Sequence, residues 1–368
     1  MDTFRGLTMA GMVIVNNPGT WDAMYWPLAH AEWDGWTPTD LIFPFFVFLV
    51  GVSLTLSNRT LTAAPWRIGR RAAIIILLGL FIAGFPFFDP HHWRIPGVLQ
   101  RIGICYLAAA FVYRAVQPNR ACTRAEMLRS FYVLGALVAV ILVVYWIVLT
   151  AFGDLTHEGN AGARIDRALM GGHLWRERWD PEGLLSTLPA IGTALLGVMT
   201  GLFLVRPVAN GGSSSGLRRT RDVAALAVIG AALFLAGQAW HVAFPINKQL
   251  WTSSYVLLTG GGAMIVLAAC MYLIDIRGVR AWSRPFVVLG RNAITLFVVS
   301  GLIGKLLILI NVPNGDGSRT SLQWVIYERG FAWIASPRAS SLLYALVFLA
   351  VMYLICDALH RQGIFLRA

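Results

Sequence analysis

Ten apolar runs, most of them near the length that crosses a membrane, constrain this chain more than any other feature. The hydrocarbon core of a bilayer is about 30 Å thick and a helix rises about 1.5 Å per residue, so a crossing takes roughly 20 mostly apolar residues. Such runs occur near Phe4 to Asn17, Asp40 to Leu56, Ile68 to Phe85, Pro96 to Tyr113 and Phe131 to Ala151. They recur near Leu184 to Leu204, Val223 to Trp240, Trp251 to Ile274, Phe286 to Ile310 and Ser340 to Cys356. With 57% hydrophobic residues, 13% charged residues and a mean hydropathy of +0.65, the composition lies outside the range of soluble domains. These features predict an all-α fold, a polytopic membrane helix bundle of about ten transmembrane helices forming one domain over 1–368. The first run is the shortest and must borrow Phe4 and Asn16 to cross. It follows no basic region and no small-residue cleavage site, so it is expected to stay in the bundle.

Orientation follows from the basic residues, which insertion holds on the cytoplasmic side. Eighteen of the 30 Lys and Arg, among them Arg59, Arg67, Arg70, Arg71, Arg219 and Arg221, fall on one set of connections, and nine fall on the other. Both termini are therefore expected in the cytoplasm of a multi-pass protein of the inner (cytoplasmic) membrane. Arg101, Arg291 and Lys305 lie in or at the edges of helices, where charge is costly and is functional or paired. The positive-inside bias and anionic membrane lipid account for the net charge of +12, and no nucleic-acid partner is expected. Cys105, Cys270 and Cys356 fall in helices and Cys122 in a cytoplasmic loop, so no external disulfide is expected. The glycine-serine run inside 206–221 reads as a flexible cytoplasmic linker between six helices and four. The external connection 152–183 exceeds the roughly 12 to 15 residues of a plain loop and is rich in acids and histidines.

The external side collects the reactive side chains. His30, Glu32, Asp34 and Asp40 follow the first helix, Asp89, His91, His92 and Arg94 follow the third, Asp180 and Glu182 end the long loop, and Asn247 and Lys248 form a fourth cluster. Imidazole titrates near neutral pH and takes a proton from an amine or hydroxyl, which makes His30 the first candidate for a base. The other reading of His30 is a hydrogen-bonding residue in an aromatic interface belt with Trp26, Trp33 and Trp36. His91 and His92 beside Asp89 lack the spacing of a zinc motif, neither HExxH nor paired CxxC occurs, and no metal is expected.

Five ordered blocks resemble one family. DTFRGLTMAGMVIVNN at Asp2 to Asn17, HAEWDGWTPTDLIFPFFVFLVG at His30 to Gly51, RIPGVLQRIGICY at Arg94 to Tyr106, WDPEGLLST at Trp179 to Thr187 and PINKQLWTSSYVLLTGG at Pro245 to Gly261 are similar to the heparan-alpha-glucosaminide N-acetyltransferase family and its bacterial relatives. The resemblance implies that His30 is the catalytic histidine and Asn16 its active-site asparagine. It implies acetyl-CoA as co-substrate, the amino group of a glucosamine-type sugar or glycan terminus as acceptor, and a homodimer as a plausible assembly. On that basis Arg94, Gln100, Arg101, Arg291 and Asn292 become candidates for holding coenzyme A, and Asp34, Asp40, Asp180, Glu182, Asn247 and Lys248 candidates for the acceptor. His30 either deprotonates the amine for direct attack or carries the acetyl group itself. An amino-sugar permease and a membrane O-acetyltransferase of a surface polysaccharide are the alternatives.

Overall fold

The computed structural model describes residues 1–57, 59–117, 123–206, 216–313 and 319–365. Most of the glycine-serine linker, at 207–215, and Cys122 lie outside the described residues. All ten apolar runs are helical. Seven of the described helices are long and apolar enough to cross a membrane unaided: Pro38–Leu56, Val98–Val116, Ala125–Ala151, Leu184–Val205, Arg219–Trp240, Ser253–Ile276 and Pro337–Arg361. The ninth run is broken into Ala281–Arg291 and Ala293–Leu309, bent by 73°, and counts as an eighth if taken as one span. By length and composition alone the count is therefore seven or eight, where the sequence led to an expectation of ten.

The two remaining runs fall short for different reasons. Helix Asp2–Asn16 has 15 residues, about 22 Å of rise against a core of about 30 Å. Helix Pro65–Gly84 has the length, but Arg67, Arg70 and Arg71 occupy its first two turns. A short antiparallel strand pair, Asn311–Pro313 with Arg319–Ser321 and Val312 opposite Thr320, adds to the all-α expectation.

The chain divides into two compact units. One comprises Met1–Glu32, Trp36–Phe43 and Arg280–Arg367. At its centre helix Asp2–Asn16 crosses helix Arg284–Arg291. A side-chain carbon on Gly6 would lie 1.7 Å from the Phe286 carbonyl oxygen and one on Gly290 2.0 Å from that of Asp2, so glycine alone lets these backbones touch. Gly290 and Asn292 are also poor helix formers, and the helix ends between them and the next begins at Ala293.

The other unit comprises Trp33–Gly35 and Pro44–Val279. Helix Leu184–Val205 forms its core and packs against Val98–Val116, Arg124–Ala151 and Ser253–Met271. It also meets helix Ile42–Leu56 at glycine contacts: an added carbon on Gly51 would lie 1.9 Å from the Ala194 oxygen, and one on Gly197 2.0 Å from that of Phe48. The connection 152–183 is structured. It contains helix Ala161–Met170, capped by the Asn160 side chain accepting from the Ala163 N–H at 2.8 Å. Buried Asp166 on that helix accepts from the Leu184 N–H at 2.9 Å, anchoring the start of the core helix.

Candidate active site

The turn Thr37-Pro38-Thr39-Asp40 organises the segment that carries His30. Pro38 restricts Thr37 to extended backbone, observed at φ −122° and ψ 168°, and is tolerated in the first turn of the short 3-10 helix Pro38–Leu41. Asp40, three residues after Thr37, reaches back to accept from the Thr37 N–H at 3.0 Å, the reciprocal contact of a capping box. The Thr37 hydroxyl donates to the Ala29 carbonyl at 2.6 Å and that of Thr39 to the Pro27 carbonyl at 2.9 Å, which lays residues 27–31 along the turn.

His30 is thereby delivered to Asp40. Its Nδ1 lies 2.7 Å from Asp40 Oδ1, while Asp40 Oδ2 accepts from the Ala31 N–H at 3.0 Å as well as from Thr37. The Asp40 side chain is 1% exposed and that of His30 47%. A buried carboxylate with several donors is held as an anion, and accepting from Nδ1–H it assigns the imidazole proton to Nδ1 and the lone pair to Nε2. A carboxylate–histidine pair of this kind orients the ring and stabilises the imidazolium that forms when Nε2 takes a proton. Asp40, expected from sequence to contact the acceptor, is positioned as the partner of His30.

The two neighbouring asparagines differ. The Asn17 side chain donates to the Val13 carbonyl at 2.9 Å and abuts Gly304, where an added carbon would lie 2.6 Å from Asn17 Oδ1. Asn16, the last residue of its helix, is exposed and makes no side-chain hydrogen bond among the described residues.

The second unit brings three other predicted residues together. The Arg94 guanidinium donates Nε to Asp180 Oδ2 at 2.9 Å and Nη2 to Asp180 Oδ1 at 2.7 Å, contacts Glu182, and lies 4.9 Å over the Trp175 ring. Burial opposes its charge, but the Asp180 hydrogen bond and the Glu182 charge outweigh that, and its pKa is raised. Asp180 also accepts from the Trp175 and Glu182 N–H groups at 2.7 and 2.9 Å. Arg94 was expected on coenzyme A and the two acids on an acceptor; here they bind one another and clamp two loops. Nearby Asp166 has its pKa pushed up to about 6, by burial first and then by the Asp180 charge. Asp89 is lowered by its hydrogen bond to His92, whose Nδ1 lies 2.7 Å away on an exposed turn.

The remaining candidates are scattered. Arg101 is 1% exposed, donates Nη2 to the Gly183 carbonyl and to Ser186, and lies 4.9 Å over the Trp251 ring. Among the described residues its Nε and Nη1 have no hydrogen-bond partner, which leaves two buried donors for a carbonyl or phosphate oxygen. Gln100 is turned to the Ile95 carbonyl at 3.0 Å. Arg291 is exposed and stacks 4.6 Å over the Phe365 ring. Asn292 is buried at the helix break and donates to the Val288 carbonyl at 3.0 Å. Asn247 is fully buried, accepts from the Leu250 N–H at 2.9 Å and donates to Asp34 at 3.3 Å, while Lys248 is half-buried. Sequence reasoning missed Thr37 as the support of the pair, although the Thr-x-x-Asp spacing before an apolar run signals it. It also missed the ring contacts among Trp33, His157 and Trp179.

Comparison with known proteins agrees with the motifs. The family model described as heparan-alpha-glucosaminide N-acetyltransferase, catalytic, matches residues 1–236. The mouse heparan-alpha-glucosaminide N-acetyltransferase is 31% identical over 353 residues, covering 81% of this chain and 52% of that protein. The human protein of the same name is 30% identical over 358 residues with the same coverage. The chain thus spans about half the length of the curated relatives it matches. The matched region takes in both His30 and the turn that holds it, and on this match the chain belongs to the heparan-alpha-glucosaminide N-acetyltransferase family.

Proposed function

We propose that this chain moves an acetyl group from cytoplasmic acetyl-CoA to the amino group of a glucosamine-type sugar on the external face of the inner membrane. The observation that carries the reading is the half-exposed His30 held through Nδ1 by buried Asp40. The whole of 1–368 works in this reading as one acyltransferase domain. Its ten helices lie in the membrane with both termini in the cytoplasm, the orientation the basic residues favour. Helices Asp2–Asn16 and Pro65–Gly84 then cross as members of the bundle.

Direct transfer is the simpler of the two routes open to a histidine held in this way. His30 Nε2 takes the proton of the acceptor amine as its nitrogen attacks the thioester carbonyl. The N–C bond forms, the C–S bond breaks, and the proton passes from the imidazolium to the departing thiolate. The Asp40 carboxylate stabilises the imidazolium meanwhile. Asn16 supplies an amide N–H to the developing oxyanion, a contribution of about 2.7 to 4 kcal/mol where it has been isolated. Arg101 is the group for an oxygen of the acyl donor, because its unpartnered Nε and Nη1 are buried. Arg94, Asp180 and Glu182 shape the external loop.

The test is purified protein with radiolabelled acetyl-CoA and glucosamine, beside His30→Ala. Label on the sugar that disappears in the variant is the expected result; equal labelling by the variant overturns the role of His30. With acetyl-CoA alone the protein stays unlabelled under direct transfer, and an acetyl-histidine in a quenched sample replaces that route with the two-step one.

A further inference from the structure

Three rings in the second unit, two of them within the family blocks, form a cluster to which the reaction as written gives no role. The centroid of Trp33 lies 3.7 Å from that of His157 and 6.0 Å from that of Trp179, and His157 and Trp179 are 5.1 Å apart. Trp33 is fixed from behind. Its indole N–H donates to the Leu155 carbonyl at 2.8 Å and its ring packs against the buried cluster of Tyr145, Leu149, Ala161, Phe244 and Leu250. All three rings are half-buried, so each keeps part of its surface at the solvent.

The residue after Trp33 is an exposed carboxylate. Asp34 Oδ1 accepts from fully buried Asn247 at 3.3 Å, and the backbone is pinned by the Gly35 N–H donating to the Ile246 carbonyl at 2.7 Å. Asp34 makes no ion pair among the described residues, whereas Asp180 and Glu182 are taken by Arg94 and Glu158 by Arg178. A rigid aromatic wall next to an oriented anion has the chemistry to receive a pyranose. His157 and Trp179 supply ring surface for the C–H face of the sugar, Trp33 stacks on His157 as its support, and the carboxylate accepts from hydroxyl or ammonium groups.

We infer that Trp33, His157, Trp179 and Asp34 form a binding subsite for a hexosamine ring, with Asn247 orienting the carboxylate. The inference rests on the acetyltransferase reading for its biological sense and names the part of the chain that recognises the acceptor. Trp33 and Asp34 follow His30 by three and four residues in sequence. Asn247 acts from the interior, and Asp180 and Glu182 do not contribute.

The experiment uses the full chain in detergent with Trp179→Ala, Trp179→Phe and Asp34→Asn, leaving Trp33 intact because it belongs to the core. Glucosamine binding is read by calorimetry in the absence of acetyl-CoA, and steady-state acetylation is read separately. The expected result for Asp34→Asn is binding weakened about tenfold or more, the loss of one charge-assisted hydrogen bond. Trp179→Ala should weaken it about three- to tenfold and Trp179→Phe less, with the KM for acetyl-CoA within about twofold of wild type. Unaltered glucosamine binding and KM in all three folded variants overturn the subsite and leave the transferase reading standing. Glucosamine binding that the variants lose, without acetylation by wild type, supports the subsite and removes the transferase reading. Wild-type protein that neither binds nor acetylates glucosamine overturns both.

Discussion

Two loop regions of this protein carry acid–base pairs, and they differ in what surrounds the charge. At Arg94 a guanidinium meets two carboxylates, one in a bidentate contact, and an aromatic ring covers it. Every strong group there is consumed by another, and Asp180 is closed off further by two backbone N–H donors. At His30 the anion is buried and the base is 47% exposed, so a carboxylate fixes one edge of a ring that still meets solvent. Clusters of charge are common to both; in the second a buried carboxylate orients a base that is half exposed.

The comparison is broken most directly at His30. His30→Ala should lower acetyl transfer by about 10²- to 10⁴-fold, read as kcat/KM, far more than the modest lowering of the melt from removing a partner of buried Asp40 accounts for. Asp40→Asn, which keeps shape and loses the anion, should cost about 10²-fold or more in kcat, and Asp40→Ala should also destabilise by leaving the Ala31 and Thr37 N–H groups unpaired. Arg94→Ala should do the opposite. It strands the buried Asp180 and lowers stability by about 2 to 4 kcal/mol, less than for a fully buried pair because Arg94 is 23% exposed, while turnover per folded molecule persists. A variant that stays as stable as wild type and loses turnover reverses the assignment of the two regions.

Two smaller effects sharpen it. The folded pKa of Asp166, about 6, lies above its ordinary value of 3.8, so the folded state binds the proton more tightly. Its contribution to stability is greatest below pH 4 and is lost as pH rises through 6. Asp166→Asn retains an acceptor for the Leu184 N–H and should melt above wild type at pH 7, with the difference shrinking as pH is lowered toward 4. Thr37→Val removes the hydroxyl that holds Ala29 and should reduce kcat by about three- to tenfold, with a stability loss near 1 kcal/mol on chemical unfolding.

Much of the architecture was legible in the sequence, because apolar periodicity and length act locally. All ten runs became helices, and the weak first run is the short helix of 15 residues. The break at Asn292 and the strand pair at Asn311–Pro313 were not, since an apolar composition reads the same whether the helix is straight or bent by 73°. His30 stood out by its motif. The Thr37 to Asp40 spacing carries the signal of a capping box, which a search for carboxylates alone passes over.

Sequence alone determined that this is a helical, membrane-type chain of an acetyltransferase family with a histidine at the mouth of its second apolar helix. Which carboxylate serves that histidine, and which merely ties loops together, was decided by tertiary structure. Asp34, Asp40, Asp180 and Glu182 are chemically alike in sequence. Their roles diverge because Asp180 and Glu182 meet Arg94 across 86 and 88 residues, Asp40 meets His30 across ten, and Asp34 meets the Asn247 amide. Partner choice depends on distances of a few ångströms and on burial, and those exist only once the chain has folded.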